Sequence, residues 1–326
     1  MALRVVIAGA GLMGRWHADA ARHAGGEIVG VVDTDLDRAR ALTGSGAASP
    51  SLAELIPLRP DVVHVCTPIA SHAALCGEAL AAGCHVIVEK PVTTTGVEAM
   101  ELADLARRSS RLIVPVHQFV FQRGVQEIRS RLTEFGAIRH VEFATASAGA
   151  DRAGSDRDAI AAEIIPHAFA LARHLLGTTV GDLAWELHRP IAGEWRATAV
   201  TPAGATVSAL ISLASRPTFA RWSVLGESTS ATADLFHGFA MFEPGHASRQ
   251  YKIVRPMAVG LKTTLAATAN LMARGVRRER AYPGLRALCN TAYAAMQGRG
   301  PLPFRDDELA DVAVARDRVV ALSRAR

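Results

Sequence analysis

The chain is short of several things that would otherwise fix its class at a glance. Cysteine occurs only at Cys66, Cys76, Cys84 and Cys289. These lack the paired spacing of a metal site and the density of a disulfide scaffold, so no metal is expected. Lysine is scarcer still: Lys90, Lys252 and Lys262 are all there is, and the formal net charge of +5 rests on arginine. No recognised nucleic-acid-binding motif accompanies that basic excess, which argues against nucleic acid as a partner. No apolar run reaches the roughly 18 uninterrupted residues of a membrane span, although peripheral membrane contact stays open. The first residues lead into a glycine motif without a signal-peptide pattern, so the expected compartment is the cytoplasm. Internal repeats and low-complexity segments are also missing.

What the chain does have is alternation. Short, β-branched apolar runs at residues 5–8, 28–32, 62–66, 86–88 and 112–116 are separated by helical patterns at 13–23, 36–42, 71–82 and 96–108. Runs too short for helices, interleaved with helices, predict a parallel sheet covered on both faces. Residues 1–118 are therefore expected to form a doubly wound, dinucleotide-binding Rossmann domain.

The character changes beyond residue 118. A helix is predicted over 125–133, an alternating strand over 139–145, a loop over 149–158 and one amphipathic helix over 161–176, stopped by Gly177. Strand-like stretches at 183–188, 195–201, 206–213 and 219–225 then follow without intervening helices. Residues 119–326 are read as a substrate and oligomerisation α/β domain with an open, largely antiparallel sheet. Met257, Leu261, Leu265, Met272 and Val276 share one helical stripe, expected to be core or a dimer contact, with a membrane-surface helix as the alternative. A last helix is predicted over 307–324.

The chemistry concentrates at strand ends. Gly9-Ala10-Gly11-Leu12-Met13-Gly14 follows the first strand and opens the first helix, where glycines permit a tight turn and close approach of backbone to a pyrophosphate. Asp33 closes the second strand, placed for a carboxylate to take the adenosine ribose hydroxyls. That favours NAD; Arg38 and Arg40 nearby keep NADP as the alternative. Thr67, Pro68 and His72 follow the third strand, Glu89 and Lys90 the fourth, and His117 and Gln118 the fifth. Loops at the carboxyl ends of parallel strands line the ligand crevice, and His117 and Gln118 are substrate-side candidates there. His64, His85 and His174 have no comparable context and read as structural or surface groups.

The glycine motif with His17 beyond it, the Thr67-Pro68…His72 loop and Glu89-Lys90-Pro91 together resemble the Gfo/Idh/MocA oxidoreductase family, named for glucose–fructose oxidoreductase and inositol dehydrogenase. The resemblance is close in the first domain and loose in the second. It implies hydride transfer between NAD(P) and a hydroxyl-bearing carbon of a sugar, cyclitol or similar compound, and a homo-oligomer formed through the C-terminal sheet. It also implies a catalytic Lys90 and a helix-borne pair, matched here by Glu163 and His167, with glutamate where the family usually has aspartate. His167 would take or return the hydroxyl proton. Three alternatives stay open: a redox-neutral epimerase or glycoside-cleaving enzyme retaining its NAD, a non-catalytic NAD(P)-binding regulator, and a reductase of tetrapyrroles or imines. Arg274, Arg277, Arg278, Arg280 and Arg286 are read either as a patch for a nucleotide- or diphosphate-linked sugar or as a solvated helix end.

Overall fold

The computed structural model describes residues 2–147, 156–245, 249–279, 281–305 and 307–324. Most of the loop expected at 149–158 lies outside them. The elements in chain order are β1 (Arg4–Ala8), α1 (Leu12–His23), β2 (Glu27–Val32), α2 (Leu36–Thr43), β3 (Ala47–Ser49), β4 (Val62–Val65), α3 (His72–Ala81), β5 (His85–Val88), α4 (Gly96–Arg108) and β6 (Ile113–Pro115). Then come α5 (Arg123–Ser130), β7 (Ile138–Ala146), α6 (Arg157–Ile164), α7 (Pro166–Leu176), β8 (Glu186–His188), β9 (Glu194–Val200), β10 (Thr206–Ser212), β11 (Phe219–Gly226), β12 (Thr229–Asp234) and β13 (Phe239–Pro244). Three helices close the chain: α8 (Arg249–Val276), α9 (Leu285–Met296) and α10 (Glu308–Arg324).

Two compact units result. The first comprises Met1–His117 with Leu285–Val314, the second Gln118–Gly284 with Ala315–Arg326. A single division at residue 118 therefore misses the segment that rejoins the first unit. In that unit a six-stranded parallel sheet runs β3-β2-β1-β4-β5-β6. Val5, Val6, Ile7 and Ala8 of the central strand are wholly buried, as a strand covered on both faces requires. The order turns back beside β1, which makes the carboxyl ends of β1 and β4 the topological switch point. Helix α4 opens with a capping box: the Thr95 hydroxyl accepts from the Glu98 amide and the Glu98 carboxylate accepts from the Thr95 amide. Helix α9 packs on α1. Gly26 permits this, since a Cβ there would come within 2.9 Å of the Tyr293 ring.

The second unit is built on a seven-stranded sheet, β13-β12-β11-β7-β10-β9-β8, in which only β7 and β10 run parallel. Inward residues such as Trp195, Trp222 and Ile211 are fully buried. Helices α6 and α7 pack against this sheet. The one helix expected over 161–176 is two, divided at Ile165–Pro166, because proline brings no amide for the ladder and is suited to the first turn of a new helix. Asp158 anchors the start of α6, accepting from the Arg189 guanidinium, the Gly193 amide and the Trp195 indole. Burial opposes ionisation there, but these donors hold its carboxyl down at about 2.

Candidate active site

The glycine turn is shaped by backbone contacts. Gly9 has φ +100°, and a Cβ on it would meet the Cys66 carbonyl at 2.7 Å; a Cβ on Gly14 would lie 1.8 Å from the Gly9 carbonyl. Both positions are closed to any side chain. Gly11 differs: nothing lies within 4 Å of where its Cβ would stand. The protein's own packing does not demand glycine there, whereas a pyrophosphate lying against the turn does. Gly11 caps α1 without a side-chain bond to the first turn, and Leu12 beside it is exposed. These features fit a dinucleotide, whose phosphates would meet the backbone of Gly9, Gly11, Leu12, Met13 and Gly14.

Asp33, just beyond β2, accepts from the Ala10 amide at 2.7 Å and from the Asp35 amide at 2.9 Å. It thus ties the second strand's end to the glycine turn, while its two oxygens retain lone pairs for a ribose. Arg38 is drawn to Asp33 and Asp35, and Arg40 to Asp37. Neither arginine stands apart from carboxylates as a receptor for a 2′-phosphate would.

The carboxyl ends of β4 and β5 are joined by His72. Its ring, 1 % exposed, sits between the Thr67 carbonyl at 2.7 Å and the Pro91 carbonyl at 2.9 Å. Lying between these two carbonyls, His72 bridges the loops that follow β4 and β5. Thr67 accepts from the Ser71 hydroxyl and Pro68 leads into a short helical turn.

Glu89 is likewise bonded within the protein. Its carboxylate is buried and accepts from the Lys90 amide at 3.1 Å and from His17 Nε2 at 3.1 Å. His17 Nδ1 lies 2.9 Å from His64 Nδ1, and His64 Nε2 lies 2.8 Å from the Tyr293 hydroxyl. One set of tautomers satisfies every atom: Tyr293 donates to His64, His64 to His17, and His17 to Glu89. Burial and the neighbouring His17 push His64 well down, so it stays neutral, and burial keeps the Tyr293 hydroxyl protonated. Burial would raise Glu89, but the His17 bond, aided by Lys90, carries its carboxyl below the usual value. A four-residue chain thus runs through the core to the backbone of Lys90, which is itself half-buried at the sheet edge and joined to Pro91 by a cis peptide.

His117 follows β6, 2 % exposed, edge-on to Phe304. Neither of its ring nitrogens has a hydrogen-bond partner. Burial drives its pKa down to about 4, with Glu89 opposing and Lys90 assisting, so the ring is neutral at pH 7. The four cysteines are free thiols. Burial raises them, Cys84 to about 11 and Cys289 to about 12, which makes them packing groups rather than nucleophiles.

The remaining candidates belong to the second unit. His167, in the first turn of α7, is buried with its ring 4.3 Å from that of Phe119 and 6.4 Å from that of Phe143. Glu163 is exposed near the end of α6, so its four-residue spacing from His167 crosses the helix junction. Arg316 donates to the Ala162 carbonyl beside it. Gln118 opens a short helical turn and is 6 % exposed. Of the five arginines read together, Arg286 pairs with Asp19 in the first unit, Arg274 bonds the His237 carbonyl in the second, and Arg280 lies outside the described residues.

Residues 3–117 match the family model described as the oxidoreductase family with an NAD-binding Rossmann fold, GFO_IDH_MocA. These residues are an NAD-binding Rossmann domain of the Gfo/Idh/MocA oxidoreductase family. Over 126 residues it is 36 % identical to D-glucoside 3-dehydrogenase of Escherichia coli K12. That stretch covers 37 % of this chain and 36 % of the relative, so the match spans about a third of that protein's length. The fold resembles UDP-N-acetylglucosamine 3-dehydrogenase GnnA from Acidithiobacillus ferrooxidans, with a TM-score of 0.77 at 20 % identity over 99 % of this chain and 98 % of that one. It also resembles the WlbA dehydrogenase from Bordetella pertussis, solved with NADH and UDP-GlcNAcA, with a TM-score of 0.77 at 16 % identity over 99 % and 96 %. The sequence marked His64 only as a structural or surface group and gave no reason to name Tyr293. A histidine inside an apolar strand was the one available signal, and nothing nearby named its partner 229 residues away.

Proposed function

We propose that the chain is an NAD-dependent dehydrogenase or reductase acting on a hydroxyl-bearing carbon of a sugar that is carried on a nucleoside diphosphate. The observation that carries this reading is a glycine cradle left open at Gly11 on the same sheet edge as Lys90, whose backbone is pinned by buried Glu89. Asp33 supports NAD over NADP, because a 2′-phosphate would face its carboxylate. The UDP-sugar named with two of the compared proteins supports the nucleotide-linked substrate.

When bound, the nicotinamide supplies the two-electron donor or acceptor. Lys90 is the group that donates a hydrogen bond to the substrate oxygen as negative charge develops on it. His167 accepts or returns the hydroxyl proton, a role suited to an imidazole near neutral pH. The Phe119 ring fixes the plane of that imidazole. Glu163 stands in this reading as the carboxylate partner borne on the preceding helix.

The test follows NADH absorbance with UDP-N-acetylglucosamine, a dTDP-hexose, D-glucosides and myo-inositol as substrates. Turnover should be highest with a nucleotide-linked sugar. Turnover confined to free sugars or cyclitols would overturn the substrate class, and NADPH binding as tightly as NADH would overturn the cofactor choice.

A further inference from the structure

Helix α8 is turned inside out relative to an ordinary surface helix. The helix packs against β13, and its less exposed side carries Ala266, Ala267, Asn270 and Ala273, with Asn270 donating to the His237 carbonyl at 2.8 Å. Its outward side carries Ile253, Met257, Leu261, Leu265, Met272 and Val276, each between 61 and 87 % exposed. Their spacing of four and seven places them on one stripe, running for about 35 Å at 1.5 Å per residue. The stripe, expected to be core or a dimer contact, is therefore not core: it is the exposed face. A contiguous apolar face of this length marks an interaction surface.

The charges on the helix itself have one sign. No aspartate or glutamate occurs in Arg249–Val276. Exposed Lys262 lies beside the stripe, and Arg274, Arg277 and Arg278 gather at its end; Arg255 is paired with Glu243. Among the described residues the helical stretch long and apolar enough to cross a membrane is Arg157–Leu176, the mostly buried α6 and α7, and α8 is not such a stretch. An apolar face with basic margins on a helix too polar to span is the pattern of one lying in a membrane interface. Self-pairing of two acid-free helices would set like charges against each other.

We propose that α8 seats the protein on an anionic lipid surface, its apolar stripe entering the boundary between headgroups and acyl chains. Anionic headgroups meet the basic margins, and the small-residue side stays on the protein.

The experiment is co-sedimentation of the whole chain with vesicles of phosphatidylcholine alone and of phosphatidylcholine with phosphatidylglycerol. Binding should require the anionic lipid and weaken as salt rises. Met257→Asp with Leu265→Asp should lower the partition coefficient by about tenfold or more, since each buried apolar side chain contributes that much. Both residues are exposed, so NADH binding serves as the control that the variant is folded. Wild-type protein that stays in the supernatant at every lipid composition, or a double variant that pellets equally well, overturns the proposal. So does a wild-type dimer dissolved by the same substitutions without vesicle binding, which would assign the face to a second copy.

Discussion

Replacing Tyr293 by phenylalanine isolates one link of the buried chain that ends at Lys90. The ring that packs against Gly26 and His64 is kept, so no cavity opens. What disappears is the hydroxyl that donates at 2.8 Å to His64 Nε2. In the tautomer set that satisfies the chain, that nitrogen is then a bare acceptor inside the core, where His64 is wholly buried. Flipping the His64 tautomer only moves the deficit, because an N–H would then point where no acceptor remains. Leaving a buried polar atom unsatisfied costs about 1–3 kcal/mol, more than the net value of an ordinary hydrogen bond. Urea unfolding of wild type and Tyr293→Phe at pH 7 should therefore differ by that amount with an unchanged denaturant slope. Glu89→Gln should be worse, because its amide would set a second donor against either the Lys90 amide or His17. Equal midpoints for Tyr293→Phe and wild type would refute the chain as drawn.

Gly11→Ala should fold normally and lose dinucleotide binding, whereas Gly14→Ala should fail to fold; thermal melts with and without NADH separate the two, and intact NADH affinity in Gly11→Ala would remove that glycine from the cradle. Lys90→Met and His167→Asn should each lower kcat by about 10²–10⁴-fold with NADH affinity nearly kept. A variant that retains most of its turnover loses its assigned role. His117 is held neutral in the fold with a pKa of about 4 against 6.5 when free, so the unfolded chain binds more protons between those values. Its contribution, up to about 3 kcal/mol, is whole above pH 6.5 and is lost as the pH falls toward 4. His85 and His174, both pushed down to about 4, act in the same direction. Urea midpoints that do not fall between pH 7 and 4.5 would contradict this.

The first unit was largely legible because its signals are local. Residues 5–8 read as a buried strand, the glycines after them as a turn into a helix, and 96–108 as the helix that forms there. Strand β3 was not, because Ala47, Ala48 and Ser49 carry no β-branched pattern and pair only through backbone. The division of α6 from α7 was signalled by Pro166, but the amphipathic pattern runs straight through it. The return of Leu285–Val314 to the first unit is a long-range packing fact, carried by pairs such as Arg286 with Asp19. Helical periodicity located the α8 stripe but not the direction it faces, since a core stripe and an exposed one have the same spacing.

The discontinuity of the first unit also bears on how the chain is made. The opening 117 residues supply all six strands of the parallel sheet, yet α9, with Tyr293 for His64, comes from beyond residue 284. At a synthesis rate of about 5–20 residues per second, the sheet waits on the order of ten to thirty seconds on the ribosome before that helix is available. Meanwhile the α1 surface that α9 covers stays bare, as does Gly26 beside the Tyr293 ring, and His64 lacks its donor. The nascent sheet is therefore a natural client for chaperones that shield apolar surface. A fragment ending at residue 117 would keep that exposed surface permanently, so release of the dinucleotide-binding unit as a stable piece calls for residues 285–314 to be joined to it.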